Sequence, residues 1–194
     1  MRFTRLAIDG VQRIEIDPVA DDRGVFARLW CRDEYARAGI PIDVVQASVS
    51  VNRRAGTLRG LHFAWPPAAE GKVVRCARGR LVDVILDLRP TSPDYLRHVA
   101  VELDAADHAA LYLPPGVAHG FQSLVDDTEV HYMMSEAYRP ECAAGVRPDD
   151  PAFDIHWPLP VTCISARDRD AALFDDALHR RQFAAGIPEA GHAA

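Results

Sequence analysis

The chain has 194 residues, 48% hydrophobic and 26% charged, enough for one domain with a sizeable core. Its formal net charge of -6 gives no basic face for nucleic acid or an anionic membrane, although a few arginines can still make a pocket for a small anion. The four cysteines, Cys31, Cys76, Cys142 and Cys163, are scattered without a Cys-x-x-Cys pair, so free thiols in a reducing cytosol are expected rather than a disulfide frame or zinc site. No apolar run reaches membrane-spanning length, and the segment behind Met1 meets Asp9 and Gly10 rather than a signal-type core, so a cytoplasmic location is expected. In chain order, Asp21-Asp22-Arg23-Gly24 reads as a turn entering a strand over 25–30, and 33–38 as a short helix ended by Gly39. Strands follow over 44–52, 58–63, 72–77 and 80–88, the last two joined by a tight hairpin at Gly79. In the last of these, Val82, Val84, Leu86 and Leu88 share one face at period two. Alternation returns around Val99, Val101 and Leu103, over 109–113 and over 129–133. Residues 170–184 have helix-forming composition, and the residues after Gly186 read as a loose tail. Regularly spaced strands with helices only at the edges predict an all-β, antiparallel sandwich or barrel in a single domain, 1–194, with the C-terminal helix and tail from about 170.

Chemistry concentrates in Gly56-Thr57-Leu58-Arg59-Gly60-Leu61-His62-Phe63, which sets Arg59 and His62 three residues apart on one strand. His62 points to the face opposite Leu61 and Phe63. It is either a satisfied core or surface histidine, or a general base able to take a carbon-bound proton acidified by a ketone. Such a base needs an acceptor on its other ring nitrogen, for which Asp168 and Asp170 are candidates. Lys72 begins a strand beside Val73 and Val74, where an ammonium can stabilise an enolate oxygen. Arg23 and Arg59 suit bidentate phosphate binding, and their convergence on one cavity would imply a phosphorylated ligand. Tyr132 is a core tyrosine or a general acid facing the base, and Tyr138 a strand-end packing residue or a platform for a nucleobase.

Pro114-Pro115-Gly116-Val117-Ala118-His119 delivers His119 onto the following strand and resembles the second motif of the cupin superfamily. Metal-binding cupins pair such a histidine with a His-x-His segment, but here His62 is followed two residues later by Ala64, so no metal is expected. More specifically, the chain resembles the dTDP-4-dehydrorhamnose 3,5-epimerase family from about residue 14 to 170. The ordered matches include Asp21-x-Arg23-Gly24-x-Phe26, Thr57-Leu58-Arg59-Gly60-Leu61-His62-Phe63, Gly71-Lys72-Val73-Val74-Arg75, Pro115-Gly116-x-Ala118-His119-Gly120-Phe121, Tyr138-x-Pro140-Glu141 and Ser165-Ala166-Arg167-Asp168. The resemblance implies a cupin-like jelly roll acting as a homodimer with exchanged strands, on a nucleotide-sugar substrate, with no metal or redox cofactor. It implies inversion of C3 and C5 of a nucleoside-diphosphate 4-keto-6-deoxyhexose, or of C3 alone. His62 oriented by Asp168 would be the base, Lys72 the donor near the enolate oxygen, and Tyr132 the acid. Arg23 and Arg59 would bind the diphosphate. Gln46 and Tyr138 would contact the nucleotide, Phe26 would reach the partner's nucleotide, and His119 would be a further pocket histidine. Arg28, Ser48 and Ala64 depart from the family's usual glutamate, asparagine and glutamine, which leaves the identity of the sugar and base open.

Overall fold

The computed structural model describes residues 1–185. Two antiparallel sheets face one another, as the jelly-roll expectation requires. The six-stranded sheet is built from β1 (Arg2–Arg5), β2 (Gln12–Glu15), β5 (Gln46–Asn52), β7 (Lys72–Arg78), β10 (Ala110–Leu113) and β12 (Thr128–Met134), in the spatial order β1-β2-β10-β7-β12-β5. The five-stranded sheet comprises β6 (Leu58–Ala64), β8 (Arg80–Asp87), β9 (His98–Asp104), β11 (Val117–Ser123) and β13 (Ala143–Gly145), in the order β13-β6-β11-β8-β9. A separate hairpin, β3 (Val19–Asp21) and β4 (Gly24–Phe26), projects from the body with every residue exposed.

Period-two alternation sorts the side chains of β7, β8 and β12 into two sets. Val74, Cys76, Leu81, Ile85 and Val130 meet Phe121 and Leu103 between the sheets. On the outer face of the five-stranded sheet, Leu61, Phe63, Val84 and Leu86 pack with Phe174 and Phe183 from the C-terminal segment. On the outer face of the six-stranded sheet, Ile14, Val73 and Tyr112 pack against Tyr35 and Ile40 around α1 (Arg32–Arg37). That cover stops short of β5, so Val45, Val49 and Val51 remain 59%, 58% and 55% exposed.

Two expected elements are shorter than the sequence implies. The strand expected over 25–30 ends at Phe26, because the chain leaves the hairpin to seat Trp30 against Tyr35 and to present the Leu29 carbonyl to Arg75. The helix expected over 170–184 is α3 (Asp176–Ala185), preceded by the separate short α2 (Ala166–Arg169). Asp150 accepts from the Phe174 amide and so holds an extended approach, and Asp175 then accepts from the Leu178 amide to open the helix. The expected loose tail after Gly186 lies outside the described residues. Among the described residues no helix is long and apolar enough to cross a membrane.

Candidate functional site

Two glycines bring β6 and β11 together. Gly60 adopts φ +116°, and a Cβ there would stand 2.5 Å from the Gly120 Cα on the neighbouring strand. This close approach makes His62 and His119 direct cross-strand partners. His62 Nε2 lies 2.7 Å from Asp168 Oδ1, and the Gly60 amide donates to the other carboxylate oxygen at 3.2 Å. Asp168 itself is fixed by α2, whose capping residue Ser165 accepts from the Asp168 amide. Of the two candidate orienters, Asp168 is the partner, whereas Asp170 pairs with Arg169. Burial pushes the Asp168 carboxyl up, but the hydrogen bonds from His62 and Gly60 outweigh it and leave it below the ordinary aspartate range. It therefore remains an anion that accepts from Nε2–H, which leaves the lone pair of a neutral imidazole on Nδ1.

His62, Ala64, Glu70, Lys72, Tyr138 and Arg167 line one cavity of about 190 Å³. Lys72 enters it from the first position of β7, and its Nζ lies 2.7 Å from Glu70 Oε1. Gln46 Oε1 accepts from the Tyr138 amide at 3.0 Å and holds that tyrosine's backbone at the rim, leaving Tyr138 60% exposed. Deeper between the sheets, Tyr132 faces His119 at 6.0 Å between ring centroids. Burial, reinforced by the Asp83 charge, raises the Tyr132 phenol above its ordinary value despite Arg59 and a hydrogen bond with Ser50. It stays protonated at neutral pH and can act as a proton donor. The fully buried Asp83 lies 3.2 Å from His119 Nδ1, and Asn52 Oδ1 accepts from Arg59 Nε at 2.7 Å.

Of the ten expected site residues, His62, Lys72 and Tyr138 line the cavity, with Asp168 bonded to His62 and Gln46 to the Tyr138 backbone. Tyr132 and His119 pair between the sheets, and Arg59 joins Asn52 at the end of β5 opposite Gln46. Arg23 and Phe26 join neither group among the described residues. Both sit on the β3–β4 hairpin, where Arg23 pairs with Asp21 and Phe26 is 78% exposed. Of the departures, Ala64 lines the cavity, Ser48 is a neighbour of Gln46, and Arg28 points instead to Glu34 at 2.8 Å. Sequence reasoning missed Asp83, Asn52 and Glu70 as site residues. The available signal was a carboxylate inside an apolar run for Asp83, and the two-residue spacing to Lys72 for Glu70. Among the described residues, no group of three or more histidine, cysteine or carboxylate side chains could hold a metal ion.

The family model for dTDP-4-dehydrorhamnose 3,5-epimerase matches residues 5–176. A dTDP-4-dehydrorhamnose 3-epimerase of Streptomyces niveus is 40% identical over 178 residues, covering 91% of this chain and 86% of that protein. A dTDP-4-dehydrorhamnose 3,5-epimerase of Sinorhizobium fredii is 39% identical over 165 residues, covering 84% of each. The crystal structure of the dTDP-4-dehydrorhamnose 3,5-epimerase of Bacillus anthracis, with TDP and PPi bound, superposes with a TM-score of 0.87 at 34% identity. It covers 89% of this chain and 99% of that one.

Proposed function

The chain belongs to the dTDP-4-dehydrorhamnose 3,5-epimerase family, and we propose that it inverts C3 and C5 of a nucleoside-diphosphate 4-keto-6-deoxyhexose such as dTDP-4-keto-6-deoxyglucose. The observation that carries this reading is the His62–Asp168 pair opening on the cavity that Lys72 and Tyr138 also line. The C4 ketone acidifies the hydrogens on both neighbouring carbons, so one base can serve both centres. His62 removes the proton, and the electron pair moves onto the C4 oxygen as an enolate. Lys72 stabilises that oxygen, and Tyr132 returns a proton to the opposite face of the carbon. Arg59, aligned by Asn52, binds the diphosphate, while Tyr138 and Gln46 meet the nucleotide. The chemistry needs neither metal nor redox cofactor.

The active unit in this proposal is a homodimer of single jelly-roll domains, working in the cytoplasm. Exposed Val45, Val49 and Val51, beside an apolar recess of about 500 Å³ bounded by Leu29, Val73 and Met133, offer a face for a second copy. The projecting hairpin then carries Arg23 and Phe26 to the partner's site, where they complete the diphosphate and nucleotide contacts.

Incubation with dTDP-4-keto-6-deoxyglucose in deuterated water, followed by NMR, tests the reading. Deuterium at both C3 and C5 with inversion supports the double epimerase. The 3-epimerase named among the relatives keeps a second reading in play, in which only C3 exchanges. No exchange at either carbon on this substrate or on other nucleoside-diphosphate 4-keto-6-deoxyhexoses overturns both readings.

A further inference from the structure

Among the described residues that line the His62 cavity, Glu70 is the single carboxylate, since Asp168 stands behind His62, and it is set among Lys72, Arg139 and Arg167. A carboxylate there opposes binding of an anionic nucleotide sugar, so its presence calls for a compensating role. Its geometry supplies one. Glu70 Oε1 lies 2.7 Å from Lys72 Nζ, and the two side chains are only 15% and 10% exposed. The turn between them is clamped, since the Gly71 amide donates to Ser135 Oγ at 2.8 Å and the Ser135 amide donates to the Gly71 carbonyl at 3.0 Å. A lysine side chain turns about four bonds and places its ammonium poorly unless something holds it. An ammonium carries three N–H donors, so one given to Glu70 leaves two for substrate oxygens.

We propose that Glu70 is a positioning residue for the epimerisation, fixing the Lys72 ammonium on the cavity wall so that its remaining N–H groups meet the enolate oxygen, at a cost in affinity for the anionic substrate. The proposal rests on the epimerase reading above. It separates catalysis from binding in a way that a merely structural role does not.

The test compares wild type, Glu70→Ala and Glu70→Gln in deuterium exchange from dTDP-4-keto-6-deoxyglucose, with the Kd for dTDP measured by calorimetry and the Tm by thermal unfolding. Glu70→Ala is expected to lower the exchange kcat by about tenfold or more, as loss of positioning does, with dTDP binding unchanged or tighter. Glu70→Gln retains an acceptor oxygen and is expected to keep kcat within about threefold of wild type. A Glu70→Ala enzyme with wild-type kcat, or with kcat kept and KM raised, overturns the proposal. So does a Glu70→Gln enzyme as slow as Glu70→Ala. Loss of kcat and dTDP binding together, with a fallen Tm, assigns Glu70 to the fold and also overturns it. Absence of exchange in the wild type, with dTDP still bound, would instead remove the epimerase reading and this proposal with it.

Discussion

At the residue scale, the proposed base and the proposed acid occupy different environments, and this makes their losses distinguishable. His62 is 40% exposed on its side chain and is fastened through one nitrogen to Asp168, whereas Tyr132 is half-buried and packs against His119 with the Asp83 charge nearby. On the proposed roles, His62→Ala abolishes deuterium exchange at both C3 and C5, a fall of about 10² to 10⁴-fold. It leaves dTDP binding close to wild type, because Arg59 and Tyr138 are untouched. Tyr132→Phe keeps the base, so exchange with solvent continues while inversion slows far more. NMR of the recovered sugar reads both quantities at once, and equal losses would remove Tyr132 as the reprotonating acid.

At the scale of elements, two fastenings govern whether the strands stay in place. Asp87, fully buried at the end of β8, accepts from Arg89 and Ser92 and so ties the following loop. Burial pushes its carboxyl up, but those hydrogen bonds outweigh burial and the net shift is downward. A lowered folded-state value means that the unfolded chain binds more protons. The stabilisation is therefore complete above the ordinary aspartate value of about 4 and is lost as pH falls through the lower folded value. Asp87→Asn is expected to cost about 2 kcal/mol at pH 7, and its Tm gap to wild type should close below pH ~4. A gap that is flat in pH would contradict this. The second fastening is the Gly60–Gly120 crossing. Gly60→Ala places a Cβ against Gly120 Cα at a positive φ, which costs about 3 kcal/mol. A drop of roughly 10 °C in Tm is expected for a chain of this length. The same elements show what was legible in the sequence. The strand β8 is legible through the period-two set Val82, Val84 and Leu86, although the structure buries both of its faces, and the His62 and His119 motifs mark their own strands. Asn52, Asp83 and Glu70 acquire their roles only from partners that folding supplies: Arg59, His119 and Lys72. The start of α3 was likewise misplaced because Asp150, a residue distant in sequence, restrains the chain at Phe174.

At the scale of the whole molecule, the proposed dimer gives the exposed β3–β4 hairpin a place to dock. Val19, Val25 and Phe26 are 69%, 62% and 78% exposed, a cost in water that a lone chain has no reason to bear. Arg23 beside them carries a guanidinium that, among the described residues, engages only Asp21, two positions before it. If the hairpin completes the partner's site, catalytic lesions in Arg23 and His62 must complement one another. In a heterodimer of Arg23→Ala with His62→Ala, one site receives both lesions and the other receives neither. Random pairing of equal amounts makes about half of the dimers mixed, each with one intact site, so co-expression should restore about a quarter of wild-type exchange activity. Each variant alone should remain far below that. If the hairpin instead folded back to serve its own chain, every site would keep exactly one lesion, and mixing would restore nothing. Sedimentation of Val49→Lys provides the companion measurement. On the proposed arrangement, a lysine on the exposed face of β5 should shift the protein towards monomer and lower activity with it, because a monomer would hold the base of one site and the hairpin arginine of another.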